Sequence, residues 1–147
     1  MIYIGADHAG YNLKEEIKKY LGELNQEFED LGNKELDSED DYPDFAVAVS
    51  KKVAETGERG ILLCGTGIGM VIVANKIKGV RATICCDEYM AKQAREHNNV
   101  NVLCLGGRVF DVERAKKIIA SWLDTDFTGE ERHVRRLEKI ETIERAR

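Results

Sequence analysis

Ile61-Leu62-Leu63-Cys64-Gly65-Thr66-Gly67-Ile68-Gly69-Met70 decides the fold. A short apolar run ends in a cysteine, three alternate glycines follow, and a helical pattern continues through Met70–Lys76. Such a run, broken by glycines, reads as a buried strand entering a tight strand-to-helix turn. Working outward, the same unit recurs. Ile2–Ala6 is a strand-like run, followed by a helical pattern with Leu13, Ile17, Tyr20 and Leu21. A weaker strand covers Glu27–Leu31, and a polar, acidic loop spans Gly32–Asp41. Pro43 opens a helix that carries Phe45, Ala48, Val49 and Val53 and stops near Gly57. Beyond the glycines, Val80–Cys85 is the fourth strand, Glu88–Glu96 a helix, and Val102–Leu105 a fifth strand stopped by Gly106 and Gly107. Asp111 is placed to N-cap a helix to about Trp122. From Glu130 onward the last helix is highly charged, with Val134, Leu137, Ile140 and Ile143 on one stripe. This alternation predicts an α/β fold, with a five-stranded parallel sheet, helices on both faces and an extra C-terminal helix. Ligand sites in such sheets lie at the carboxyl ends of the strands.

The chain has 147 residues, 43% apolar and 33% charged, with one proline. That suits one soluble domain over residues 1–147, able to bury about 70% of its unfolded surface without staples. The net charge of −5 and the lack of a long basic run argue against nucleic acid as a partner. An anionic substrate has to be caught by a local cluster of cations working against that charge. No two of the four cysteines form a C-x-x-C pair, and no His/Cys/Asp cluster has structural-zinc spacing, so no metal is expected. Cys85 and Cys104 sit in apolar runs and read as core, while Cys86 carries no signal of its own. Met1 leads straight into a strand, without a signal-peptide pattern, and no apolar stretch reaches 18 residues. No membrane association is expected, and the cytoplasm is the expected compartment.

The polar residues cluster by position. Asp7 and His8 follow strand one, Cys64 to Gly69 follow strand three, and Arg108 follows strand five, so these three groups should share one rim. Glycines at 65, 67 and 69 let the backbone turn and aim N–H groups at a ligand. A helix starts there, which favours an anion or an oxyanion formed during reaction. The loop lacks the G-x-x-x-x-G-K-[ST] signature. The G-x-G-x-x-G pattern fails because Met70 stands where glycine is needed. Asp87 does end the next strand about where a ribose partner would sit, which keeps a nucleotide-binding module open. Cys64 adjoins the glycines and is a candidate base or nucleophile, the thiolate being the reactive form. A thiol enzyme with a covalent intermediate is therefore a third reading. His8 and His97 are expected at strand-end positions, each beside a polar partner, Asp7 and Asn98. Arg132 and Arg136 are one helical turn apart and share a face.

The sequence resembles the type B ribose-5-phosphate isomerases and their hexose-phosphate relatives. The resemblance rests on Gly5-Ala6-Asp7-His8-Ala9-Gly10, Asp41-Tyr42-Pro43-Asp44 and Cys64-Gly65-Thr66-Gly67-Ile68-Gly69-Met70. It continues through Ala74-Asn75-Lys76, His97-Asn98-Asn99, Leu105-Gly106-Gly107-Arg108, and Arg132-His133 with Arg135-Arg136. It implies a Rossmann-like fold and interconversion of ribose 5-phosphate and ribulose 5-phosphate in the pentose phosphate pathway, with no cofactor. It also implies a homodimer with active sites shared between subunits, and leaves dimer versus tetramer open. In that family's pattern Cys64 matches the base, Gly65–Gly69 with Thr66 the anion hole, and His97 the ring-opening group. Asp7, Tyr42 and Asn98 match sugar contacts. His8, Arg108, Arg132 and Arg136 match phosphate contacts. One branch carries a glutamate base where Met70 stands here, which leaves Cys64. Cys64 also argues against galactose 6-phosphate, while allose 6-phosphate stays open.

The chemistry implied suits these residue types. An aldose–ketose shift moves one proton between adjacent carbons, which one well-placed base can do. The cyclic sugar must also be opened, and histidine changes charge near neutral pH.

Overall fold

The computed structural model describes residues 1–147. Five strands form one sheet: β1 (Ile2–Ala6), β2 (Phe28–Asp30), β3 (Arg59–Cys64), β4 (Ala82–Ile84) and β5 (Val102–Gly106). Their order is β2-β1-β3-β5-β4, and all neighbours are parallel. Six helices complete the chain: α1 (Tyr11–Glu23), α2 (Tyr42–Thr56), α3 (Ile68–Ala74), α4 (Glu88–Asn98), α5 (Val112–Asp124) and α6 (Glu131–Arg145). The expected architecture is therefore the one observed. The fourth strand is shorter than Val80–Cys85, and α3 starts two residues before Met70.

Successive strand residues point to opposite faces, so each apolar run feeds two cores. Ile2, Ile4 and Ala6, Ile61 and Leu63, and Leu103 and Leu105 pack with α1, α4 and α5, around the fully buried Trp122. Tyr3, Leu62, Cys64, Val102 and Cys104 face the other way, onto α2 and α3. Burial on both faces explains why the three central strands read as continuous apolar runs. Cys85 and Cys104 are fully buried, as expected, and burial pushes the Cys85 thiol up to about 12 and Cys104 further in the same direction.

Local chemistry fixes the helix ends. The Asp111 carboxylate accepts from Arg114 N at 2.8 Å and the Asp87 carboxylate from Met90 N at 2.8 Å, both N-caps. Gly57 closes α2 at φ 76°, in the left-handed region. The α6 stripe is largely uncovered: Leu137 is buried, but Val134, Ile140 and Ile143 are exposed.

One charged group sits wholly inside. Lys14 on α1 is 0% exposed. Its Nζ pairs with Asp30 at 2.9 Å and donates to Asn33 O at 2.7 Å, which ties the acidic loop after β2 to the sheet. Lys18 reaches the same carboxylate at 2.8 Å. Burial pushes the Asp30 carboxyl up, but hydrogen bonds from Lys18, Lys14 and Gly32 outweigh it and hold it below the ordinary carboxylate value. Its contribution to stability is thus present above that ordinary value and is lost as pH falls through the lowered one. Removing one member of a buried pair strands the other charge. Asp30→Ala should cost about 2–3 kcal/mol in urea denaturation, below the ~3–5 of a fully enclosed pair because Asn33 O still accepts from Lys14. Adding Lys14→Met should recover most of that loss. Simple additivity of the two losses would show that no charge was stranded.

Candidate active site

The sheet order creates a crevice. After β1 the chain leaves to α1 on one face, and after β3 it leaves to α3 on the other. Neighbouring strands whose chains diverge in this way open a gap at their carboxyl ends. Asp7 and His8 enter it from β1 and Cys64 to Gly67 from β3, while Arg108 comes from β5, which pairs with β3. Backbone bonds stitch the three loops together: Asp7 N to Leu63 O at 3.2 Å, Gly107 N to Cys64 O at 2.8 Å, and Arg108 N to Gly65 O at 3.0 Å. The three groups expected on one rim do share it.

Cys64 closes β3 and is 5% exposed. Its Sγ accepts from Gly67 N at 3.0 Å, inside a turn where Gly67 sits at φ 86°. That left-handed backbone favours glycine at 67. No hydrogen bond of the fold uses the N–H groups of Gly65, Thr66 or Gly69, so three amide donors border the thiol without acceptors. The Thr66 hydroxyl accepts from Ile68 N at 3.2 Å, which leaves its own proton free to donate. Tyr42, at the start of α2, lies flat against the loop: a Cβ added at Gly69 would meet its ring at 2.6 Å. Arg108 covers the other side, its guanidinium 3.2 Å from where a Cβ on Gly65 would stand. Met70 is fully buried beneath them.

Asp7 is buried, and its Oδ1 accepts from Ala9 N at 3.0 Å and Gly10 N at 3.1 Å. Its second oxygen has no protein partner. His8 is held from outside the glycine motifs, by a residue that sequence reasoning missed. Asp40 Oδ1 accepts from His8 N at 3.0 Å and lies 2.7 Å from His8 Nδ1, while its Oδ2 accepts from Asn33 Nδ2 at 2.6 Å. Nothing in the acidic loop singles out Asp40, because its partner lies 32 positions away. Asp7, His8 and Asp40 have ligand atoms within 4.8 Å of one another, the one grouping dense enough to approach a metal ion. Most of those atoms already serve amides, Asn33 or each other.

The remaining candidates lie elsewhere. A helix between parallel strands runs back towards their amino ends, so His97 and Asn98, which close α4 before β5, sit on the opposite rim from Cys64. His97 thus stands apart from the rim that Asp7, Cys64 and Arg108 share, at the helix end before β5 where the sequence put it. The sheet between the rims is six residues deep along β3, about 20 Å at 3.3 Å per residue. His97 cannot meet Cys64 within one chain. Thr128 docks the start of the last segment onto Glu96 O, at 3.2 Å from its N and 3.1 Å from its Oγ1. This brings α6 against α4. There the His97 ring stacks on His133, with centroids 4.2 Å apart and planes at 14°. Arg132 and Arg136 are exposed beside it. His133 was missed as well: the stripe counted from Val134 passes it by, although it lies one turn before the buried Leu137. A cavity of about 510 Å³ adjoins this second group between β4, α4 and α6, with Ile84, Met90, Ile140 and Ile143 in its wall.

The Asp40 hydrogen bond raises the His8 pKa, and the charges of Asp7 and Asp40 add to it, against burial and Arg108. A raised value means the charged form is favoured. The pair's contribution is complete below the ordinary histidine value near 6.5 and is lost as pH rises through the raised one. Asp40→Asn should therefore lower the His8 titration midpoint, read from the ring proton shifts by NMR. A midpoint that stays put or rises would contradict this coupling.

Comparison with known proteins identifies the family. A family model described as Ribose/Galactose Isomerase matches residues 2–140. The ribose-5-phosphate isomerase B of Escherichia coli is 44% identical over 148 residues, covering 99% of this chain and 97% of that one. The D-erythrulose-4-phosphate isomerase of Pectobacterium atrosepticum is 46% identical over 129 residues, covering 87% and 85%. The crystal structure of ribose-5-phosphate isomerase B from Mycoplasma genitalium with bound ribulose-5-phosphate superposes with a TM-score of 0.94 at 42% identity, over 98% and 95% of the two chains. A match over nearly the whole length in both sequence and fold places the chain in one family: it belongs to the ribose/galactose isomerases.

Proposed function

We propose that this protein interconverts ribose 5-phosphate and ribulose 5-phosphate through an enediolate, as a cytoplasmic enzyme of the pentose phosphate pathway. The observation that carries the reading is Cys64, set beside three unpaired amide donors and the free Thr66 hydroxyl at the β1–β3 crevice. Cys64 takes the proton from C2 of the open-chain aldose and returns it to C1, while the proton of the C2 hydroxyl passes to O1 so that the carbonyl re-forms at C2. Negative charge then builds on the carbonyl oxygen, where the Thr66 hydroxyl and the N–H groups of Gly65, Thr66 and Gly69 can meet it. Gly67 shapes the turn, and its own N–H is given to the sulfur. Asp7 and Tyr42 hold sugar hydroxyls, and His8 and Arg108 supply positive charge at the crevice mouth. The relative that carries ribulose-5-phosphate supports this substrate class.

The second group completes the chemistry from a second copy of the chain. His97 opens the sugar ring, Asn98 holds a hydroxyl, and Arg132 with Arg136 binds the phosphate by forked, charge-assisted hydrogen bonds. A two-fold axis that brings one copy's second group onto the other's crevice does the same in reverse, so a homodimer closes two sites at once. The exposed Ile68 and Ile72 on α3, and Ile140 and Ile143 on α6, supply apolar surface for that contact.

A related aldose phosphate is the second reading, favoured by the four-carbon substrate named for the Pectobacterium relative. Both readings need the same base. Purified protein should isomerise ribose 5-phosphate without added metal or nucleotide, faster than it does erythrose 4-phosphate or allose 6-phosphate. Cys64→Ala should keep its fold and lose about 10²–10⁴-fold in rate, the span of a general base. A folded variant that retains more than half the wild-type rate would remove Cys64 from the mechanism.

A further inference from the structure

His133 faces no part of the crevice and has no role in the scheme above, yet it is a histidine that is 3% exposed. Its ring lies flat on that of His97. On its edge, Arg132 Nε donates to His133 Nε2 at 3.3 Å, and the same Arg132 Nε lies 3.2 Å from Glu130 Oε2. An arginine guanidinium has donors only and stays charged. The Nε2 it meets must then carry the lone pair, which assigns the proton of His133 to Nδ1 and makes the ring neutral. The surroundings agree. Burial lowers the His133 pKa, His97, Arg132 and Arg136 push it the same way, and Glu130 opposes them.

We propose that His133 is a positioning residue for His97, a neutral imidazole platform that fixes the plane of the His97 ring while His97 exchanges its proton. The inference rests on the reading of His97 as the ring-opening group. Two stacked imidazoles cannot both be charged without repulsion, so a partner that stays neutral leaves the charge change to His97 alone. A flat neutral ring also tolerates a cation on its face. Arg132 thus has two tasks: it pins His133 through Nε, and it belongs to the phosphate-binding pair. The sugar's phosphate and the ring that opens the sugar are aligned through one side chain.

The test uses the full-length protein and three variants, His133→Phe, His133→Ala and His97→Ala. Phenylalanine keeps the flat stacking ring without nitrogen or charge, and alanine removes the ring. A poorly aligned catalytic group loses up to about 100-fold, so His133→Ala should lower kcat on ribose 5-phosphate by about 10- to 100-fold with little change in KM. His133→Phe should restore kcat to within about threefold of wild type, because stacking, not proton transfer, is what the position supplies. In the wild type, 15N spectra of the imidazoles should show His133 neutral with its proton on Nδ1 at pH 6.5. Equal kcat values for the Phe and Ala variants, a change confined to KM, or a charged His133 at pH 6.5 would each overturn the proposal. If alanine unfolds the chain, the Phe variant and the wild-type spectra still decide it. An undiminished rate in His97→Ala would overturn the ring-opening reading and this proposal with it, an outcome visible apart from the others.

Discussion

The pairing of β1 with β3 is the constraint on which the rest depends. Five residues of each strand are in parallel register, from Ile2 opposite Arg59 to Ala6 opposite Leu63. At the end of that register the two chains part to opposite faces of the sheet. Helices therefore cover both sides and leave the top of the two strands open. Asp7 and Cys64 each follow directly from the last paired residues. β5 lies on the far side of β3, and its backbone is bonded into the glycine turn, so Arg108 arrives at the same opening. A shift of one residue in the register would turn Cys64 onto the opposite face of the sheet and away from the turn that serves it.

Much of this was legible in the sequence because it is local. The apolar runs, the glycine turn after Cys64, the Asp111 cap and the stop at Gly57 all depend on neighbours within a few positions. The shared rim of Asp7, Cys64 and Arg108 followed from strand direction alone. What escaped is long-range. Asp40 holds His8 across a loop of polar residues with no period, and Lys14 helps to keep it near by anchoring Asn33 from inside the core. His133 is buried by the angle at which α6 meets α4, which periodicity within α6 does not fix. The depth of the sheet between His97 and Cys64 appears only once the helix direction is set against the strands.

Charge follows the same division. The chain carries a net −5, yet Arg108 and His8 gather at the crevice, and Arg132 and Arg136 at the opposite rim. Each half holds two of the four cations proposed for the phosphate, and only one half holds the proposed base. If Cys64 is the base and His97 the ring opener, as proposed, the depth of the sheet between their two rims leaves no complete site in one chain. On the proposed reading, assembly becomes part of the catalytic apparatus, and the uncovered stripe of α6 fits the same reading.

The most direct measurement mixes two inactive proteins. Cys64→Ala and His97→Ala are purified separately, combined in equal amounts, and allowed to exchange subunits before assay on ribose 5-phosphate. If each site takes Cys64 from one chain and His97 from the other, half of the dimers are mixed and one site in each is intact. About a quarter of the wild-type rate should return, by the closed two-fold symmetry of the assembly. If both residues of a site came from one chain, every site would keep a defect. The mixture would stay inactive despite subunit exchange, and that result would contradict the account.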